Sequence, residues 1–369
     1  MRRVPDMVEH RSIYIPELNC LRSIFMLVIF FHHMNGSTMF PPGGYIAVAF
    51  FFVLSGFSMT IGYRERVMQT TFSYRHYILR RIGKFYPIHW LVLFIMLVLS
   101  FLGSKTLYSC DMFWPKLASN FILLQSFIPI KDFYFSFNSP SWYISNTLFY
   151  CFLFPFILKG LIQTSKSLKK VFFLALVVLY VLLILLIPSD YRHAILYISP
   201  FVRIIDFLFG IYTGLLFLYI YEGVVEKMES RAWWFLIVVV SFVVLAIFSF
   251  CDIEKSIRYY TNYLYWIVSC PIVLAISVLS VFKKHETTNS KYASKLLIGG
   301  GKILQWAGGY SFTFYMLHLR CIDIMNSVCA KFAFGISVKV VLTLIFTMIM
   351  SILCQKFFVE PVGKYLIKK

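Results

Sequence analysis

The sequence has little charge, and acidic residues are its scarcest kind. Asp, Glu, Lys and Arg make up 14% of its 369 residues, and 16 acidic side chains stand against 35 basic ones. A soluble domain carries about a quarter charged residues, so a water-facing globule is excluded. The eight cysteines contain no CxxC pair, and no metal-ligand framework is read from them; most fall inside apolar runs, where cysteine behaves as a small buried hydrophobe. Cys110 and Cys251 share the outer face of the topology derived below. Internal repeats and low-complexity tracts are missing. The first apolar run ends in HHMNGS without a small-residue cleavage site, which reads as a retained helix.

What fills the chain instead is apolar: 60% hydrophobic, 19% aromatic, with a mean hydropathy of +0.77. Stretches of about 17 or more apolar residues recur along its length, the mark of a polytopic membrane protein. The formal net charge of +19 would suggest nucleic acid on a soluble protein. Here it follows from Lys and Arg collecting in cytoplasmic loops, so no nucleic-acid partner is expected and membrane lipid is.

The expected fold is all-α with ten spans, near 19–35, 45–62, 85–102, 142–158, 171–187, 200–221, 233–251, 263–282, 306–327 and 338–358. The apolar piece 117–130 is too short to cross and reads as interfacial or re-entrant. This count places most Lys and Arg on one side and both termini in the cytoplasm, whereas an eleventh span would move the KSLKK loop outside. It divides the chain into a cytoplasmic segment 1–18, a membrane domain 19–361 and a basic tail 362–369.

Ionisable residues inside such spans are functional candidates. In RSIFMLVIFFHHMN, residues 22–35, Arg22 and His33 lie eleven residues apart, about three helical turns plus 20° and a rise of about 16 Å. They therefore share one face of the first helix, while His32 points elsewhere. By position alone, a snorkelling anchor for Arg22 and an interhelical hydrogen bond for the histidine remain open.

Further motifs follow in order: FFVLSGF at 51–57, YILRRIGKFYP at 77–87, PSWYIS at 140–145, SPFVRIIDFLFG at 199–210, GGYSFTFYMLH at 308–318 and FFVEP at 357–361. In this order and spacing they resemble acyltransferase family 3, integral membrane proteins that acylate hydroxyls of cell-surface carbohydrates. The resemblance runs from about residue 18 to 361. It implies a multi-pass protein of the cell membrane, with acyl-CoA, expected as acetyl-CoA, as co-substrate. No tightly bound cofactor or metal is implied, and the acceptor is a glycan or lipid-linked saccharide.

The family's arginine–histidine pair maps to Arg22 and His33. His33 is then a general base or a transient acyl carrier, and Arg22 positions the donor or stabilises an oxyanion. Arg80, Arg81 and Lys84 cluster at a helix mouth, where they suit the phosphates of coenzyme A or serve only as a topology signal. Trp142, Ser311, Tyr315 and His318 are candidates for lining an acceptor cavity; the last three form one helical stripe at i, i+4 and i+7. Ser55 and Gly56 suit close helix packing. Departures from the pattern matter too. Asn19-Cys20 replaces Asp-Gly, Lys84 replaces arginine, and WYISNTLFY lacks a glutamate, so His33 has no evident carboxylate partner. Asp206 suits Arg203 at i, i+3. A saccharide or lipid transporter is the competing class, weakened by the missing repeat symmetry. The unrelated membrane-bound O-acyltransferases share the reaction but not these motifs.

Overall fold

The computed structural model describes residues 13–34, 43–102, 112–223, 231–250, 262–285, 295–332 and 335–368. Among them every regular element is helical. All ten expected stretches fall on helices: α1 (Glu17–Met34), α2 (Gly43–Met68), α3 (Tyr74–Leu102), α6 (Ser141–Gln163), α7 (Lys166–Leu186), α9 (Pro200–Gly223), α10 (Arg231–Phe250), α11 (Trp266–His285), α13 (Ser311–Lys331) and α14 (Ile336–Cys354). Six of these (α2, α3, α6, α7, α9 and α14, the last taken together with its continuation to Ile367) are long and apolar enough to cross a membrane, and α10 and α11 contain shorter apolar helices. Cys110 and Cys251 lie outside the described residues.

The remaining helices are short or peripheral: α4 (Phe113–Phe121), α5 (Lys131–Tyr134), α8 (Ser189–Arg192), α12 (Lys295–Gly308) and α15 (Glu360–Lys368). The piece expected not to cross is indeed broken, into α4 and a 3-10 turn at Gln125–Phe127, with Leu123 at φ 59° between them. Two of its polar residues bond to α6: Gln125 Nε2 donates to Ser141 Oγ at 3.0 Å, and the Ser126 and Ser145 hydroxyls are 2.6 Å apart. Trp114, Phe121, Ile122 and Leu124 stay exposed on its other side.

Burial sorts the bundle by depth. On α7 only Tyr180 and Ile184 are buried, while Leu174, Val178, Leu182 and Leu185 are exposed; an apolar helix with so little protein cover presents its surface to lipid. In contrast α2 and α9 lie at the centre and touch through glycine. A Cβ on Gly56 would sit 2.2 Å from the Phe207 carbonyl oxygen, and one on Gly210 would sit 2.1 Å from that of Val53. Small residues at helix interfaces allow this approach, which accounts for the glycine of FFVLSGF. On α1, Leu21, Phe25 and Ile29 pack with Phe50 and Val53 of α2, and Phe30 meets Phe314 of α13 edge-on at 5.8 Å. Its first turns also run along α12, where the Ser23 hydroxyl donates to the Leu304 carbonyl at 2.5 Å.

The ion pair read between Arg203 and Asp206 is present at 2.9 Å, with both side chains buried. The guanidinium also lies 5.3 Å over Phe52 and 5.6 Å over Tyr197, so this pair joins α9 to the aromatic part of FFVLSGF.

Candidate active site

Three cavities follow one another through the bundle. A mouth of about 240 Å³ is lined by Arg80, Lys84, Phe312, Gln355, Glu360 and Lys364 among others. A central chamber of about 220 Å³ is lined by Arg22, Ser55, Lys84, Tyr143, Ser311 and Tyr315. An outer chamber of about 400 Å³ is lined by His32, His33, Tyr45, Trp142, His193, Tyr197 and Tyr315. Mouth and central chamber share Lys84, Gly309 and Phe312, while central and outer chambers share Val48 and Tyr315.

Helix α1 spans two of these chambers, as its periodicity requires. Arg22 enters the central chamber and His33 the outer one. The Arg22 guanidinium donates through Nη1 to Asn19 Oδ1 and through Nη2 to Ser58 Oγ at 3.3 Å. Both partners are neutral, and among the described residues no carboxylate forms an ion pair with it. Because Asn19 lies one turn before Arg22, the guanidinium is drawn away from His33.

The surroundings of His33 define its tautomer. His318 Nδ1 is 2.6 Å from the Tyr315 carbonyl. A carbonyl only accepts, so this nitrogen carries the hydrogen and Nε2 of the neutral ring is an acceptor. His318 Nε2 lies 3.4 Å from His33 Nδ1, which is also 2.9 Å from the Ile29 carbonyl. Both neighbours of His33 Nδ1 accept, so it is the protonated nitrogen and Nε2 holds the lone pair. A neutral imidazole held this way is a base, and His318 occupies the orienting position that a carboxylate would otherwise fill.

The other residues singled out from sequence separate. Trp142 and Tyr315 line the outer chamber, Ser311 lines the central one, and His318 is buried behind His33. Arg80 and Lys84 reach the mouth. Arg81, by contrast, lies 4.9 Å over Tyr63 and 5.1 Å over Tyr77, and it belongs to the lining of none of the three cavities. Ser55 and Gly56 divide the work of their motif, one facing the central chamber and the other packing on α9.

Sequence reading missed His193, Tyr197, Tyr45 and Tyr143. His193 and Tyr197 stand at the two ends of one turn in the π-helical segment His193–Ile198, and Tyr197 packs 5.0 Å from Trp142. A second π segment, Gln355–Val359, supplies Gln355 and Val359 to the mouth. Such bulges recur at functional sites, but they leave no period that a sequence displays.

Comparison with known proteins fits this arrangement: the family profile described as an acyltransferase domain matches residues 15–355. The chain belongs to acyltransferase family 3. That description names acyl transfer, the expected reaction, and not transport. A curated relative, the acyltransferase MdmB of Streptomyces mycarofaciens, is 29% identical over 157 residues, covering 39% of this chain and 39% of that protein. The chain therefore spans about two fifths of the length of this relative. No solved structure matches the chain.

Proposed function

We propose that the enzyme transfers an acyl group, acetyl being the expected one, from acyl-CoA to a hydroxyl of a cell-surface glycan or lipid-linked saccharide. In this reading the ten helices are spans of the cell membrane, both termini are cytoplasmic, and the mouth opens to the cytosol. The observation that carries it is the series of chambers, cationic at one end and holding a neutral imidazole at the other, with Tyr315 common to the last two.

Coenzyme A phosphates are strong acceptors for Arg80 and Lys84, and the thioester would extend through the central chamber towards Tyr315. The acceptor enters the outer chamber, where Trp142 and Tyr197 offer ring faces to a sugar. His33 Nε2 takes the hydroxyl proton as the oxygen bonds to the thioester carbon. The carbon–sulfur bond then breaks, the thiolate takes a proton from the imidazolium, and His33 returns to its neutral form. Of the two roles open to Arg22, positioning the donor suits it better, because its guanidinium points away from His33.

Purified protein in lipid nanodiscs, given acetyl-CoA and surface glycan from a deletion strain, should release free thiol only when the glycan is present. Mass spectrometry should find the glycan heavier by one acyl group. Failure to release thiol from any acyl-CoA would rule the donor out. A cysteine placed at Gln69 in a cysteine-free variant should resist an impermeant thiol reagent until cells are lysed; labelling of intact cells would invert the topology.

A further inference from the structure

Helix α15 begins beyond the family match, which stops at residue 355, yet it forms one wall of the mouth. It is held there by two glycines. A Cβ on Gly363 would sit 2.5 Å from the Gly83 carbonyl oxygen, and one on Gly83 would sit 3.0 Å from that of Gly363. No side chain fits between backbones so close, so the position of α15 along α3 is set. That register brings Lys364, the next residue, to a chamber that Arg80 and Lys84 line from α3.

All three cations are exposed to the cavity, and none forms an ion pair among the described residues. Glu360, the one carboxylate in the lining, accepts from Gln355 Nε2 at 3.3 Å. Gln355 Oε1 in turn accepts from the Thr313 hydroxyl at 2.5 Å, which ties the start of the preceding π segment to α13. Like charges converging from two helices onto one hollow repel one another, and a polyanion between them relieves that cost.

We infer that α15 completes the donor site and that Lys364 binds a phosphate of acyl-CoA from the wall facing Arg80 and Lys84. This rests on the acyl-CoA reading above. Lysine acts here as a point charge, so its position across the cavity matters more than bidentate geometry.

The test is steady-state kinetics in nanodiscs with acetyl-CoA and the glycan acceptor, run in phosphatidylcholine alone and with added phosphatidylglycerol. Lys364→Ala should raise the donor KM about tenfold, the loss of one charged hydrogen bond at a partly exposed site. Its kcat, acceptor KM and melting should stay near wild type. Lys364→Arg should recover most of the affinity, and Gly363→Leu, which forces α15 off α3, should reproduce the Lys364→Ala defect. An unchanged donor KM in Lys364→Ala beside a raised one in Arg80→Ala overturns the inference and leaves the donor reading standing. A defect seen only with phosphatidylglycerol overturns it in favour of a lipid headgroup. If Arg80→Ala and Lys84→Ala are also without effect, the acyl-CoA reading itself fails.

Discussion

Nε2 of His318 lies 3.4 Å from Nδ1 of His33, joining α13 to α1 across 285 residues of sequence. The contact supplies what the chain lacks in carboxylates. His318 is anchored by its hydrogen bond to the Tyr315 carbonyl and offers His33 a neutral acceptor. A proton arriving at His33 Nε2 would make Nδ1–H a stronger donor towards that acceptor, so the pair gains strength when charge develops.

His318→Leu removes the side-chain acceptor, leaving only the Ile29 carbonyl, and should lower kcat by about tenfold or more, a part of the 10²–10⁴ that a positioned base supplies, with donor KM little changed. His318→Gln keeps an acceptor oxygen and should recover part of the loss. Nitrogen NMR of labelled histidine checks the cause: in the wild type His33 should be protonated at Nδ1, and in His318→Leu that preference should weaken. Equal kcat losses in Leu and Gln with an unaltered His33 tautomer would assign His318 to packing alone.

His33→Ala should abolish transfer, by about 10² or more, while expression and detergent melting stay close to wild type. His32→Ala should keep most of the activity although it lines the same chamber. Its ring stands edge-on to His33 at 5.1 Å, a contact that does not replace the bond to His318. Activity and melting measured together separate the two outcomes, and a dead His32→Ala beside an active His33→Ala would transfer the role of base.

Arg80→Ala and Arg81→Ala should fail in different ways. Arg80 lines the mouth, so its loss should raise the donor KM with little effect on melting. Arg81 is sandwiched near Tyr63 and Tyr77, and its loss forfeits two cation–π contacts of about 0.5–2 kcal/mol each. The expected result is a lower melting temperature with donor KM changed less than in Arg80→Ala. The opposite pattern would place Arg81 on the donor.

Arg203→Met leaves Asp206 buried without its partner and should cost about 3–5 kcal/mol, read as a sharp fall in melting temperature. The double variant Arg203→Met/Asp206→Leu removes both charges and should regain much of that loss. If the double variant melts no higher than the single one, the guanidinium stabilises chiefly through Phe52 and Tyr197, the rings it covers.

By itself the sequence determined whatever depends on local period and composition. Long apolar runs require internally bonded backbone, so the helices were legible. An eleven-residue interval puts Arg22 and His33 on one face whatever the rest of the chain does, and a three-residue interval brought Asp206 to Arg203. Tertiary structure alone decided the rest, because it turns on contacts between segments far apart. Neighbouring residues of a helix point about 100° apart, so only the packing of α3 could send Arg80 to the mouth and Arg81 to the tyrosines. The π segments that aim His193 and Gln355 have no repeating pattern to read. One acceptor of His33, the Ile29 carbonyl, is local to its helix, but the side-chain acceptor is a histidine 285 positions away, a contact no local period foretells.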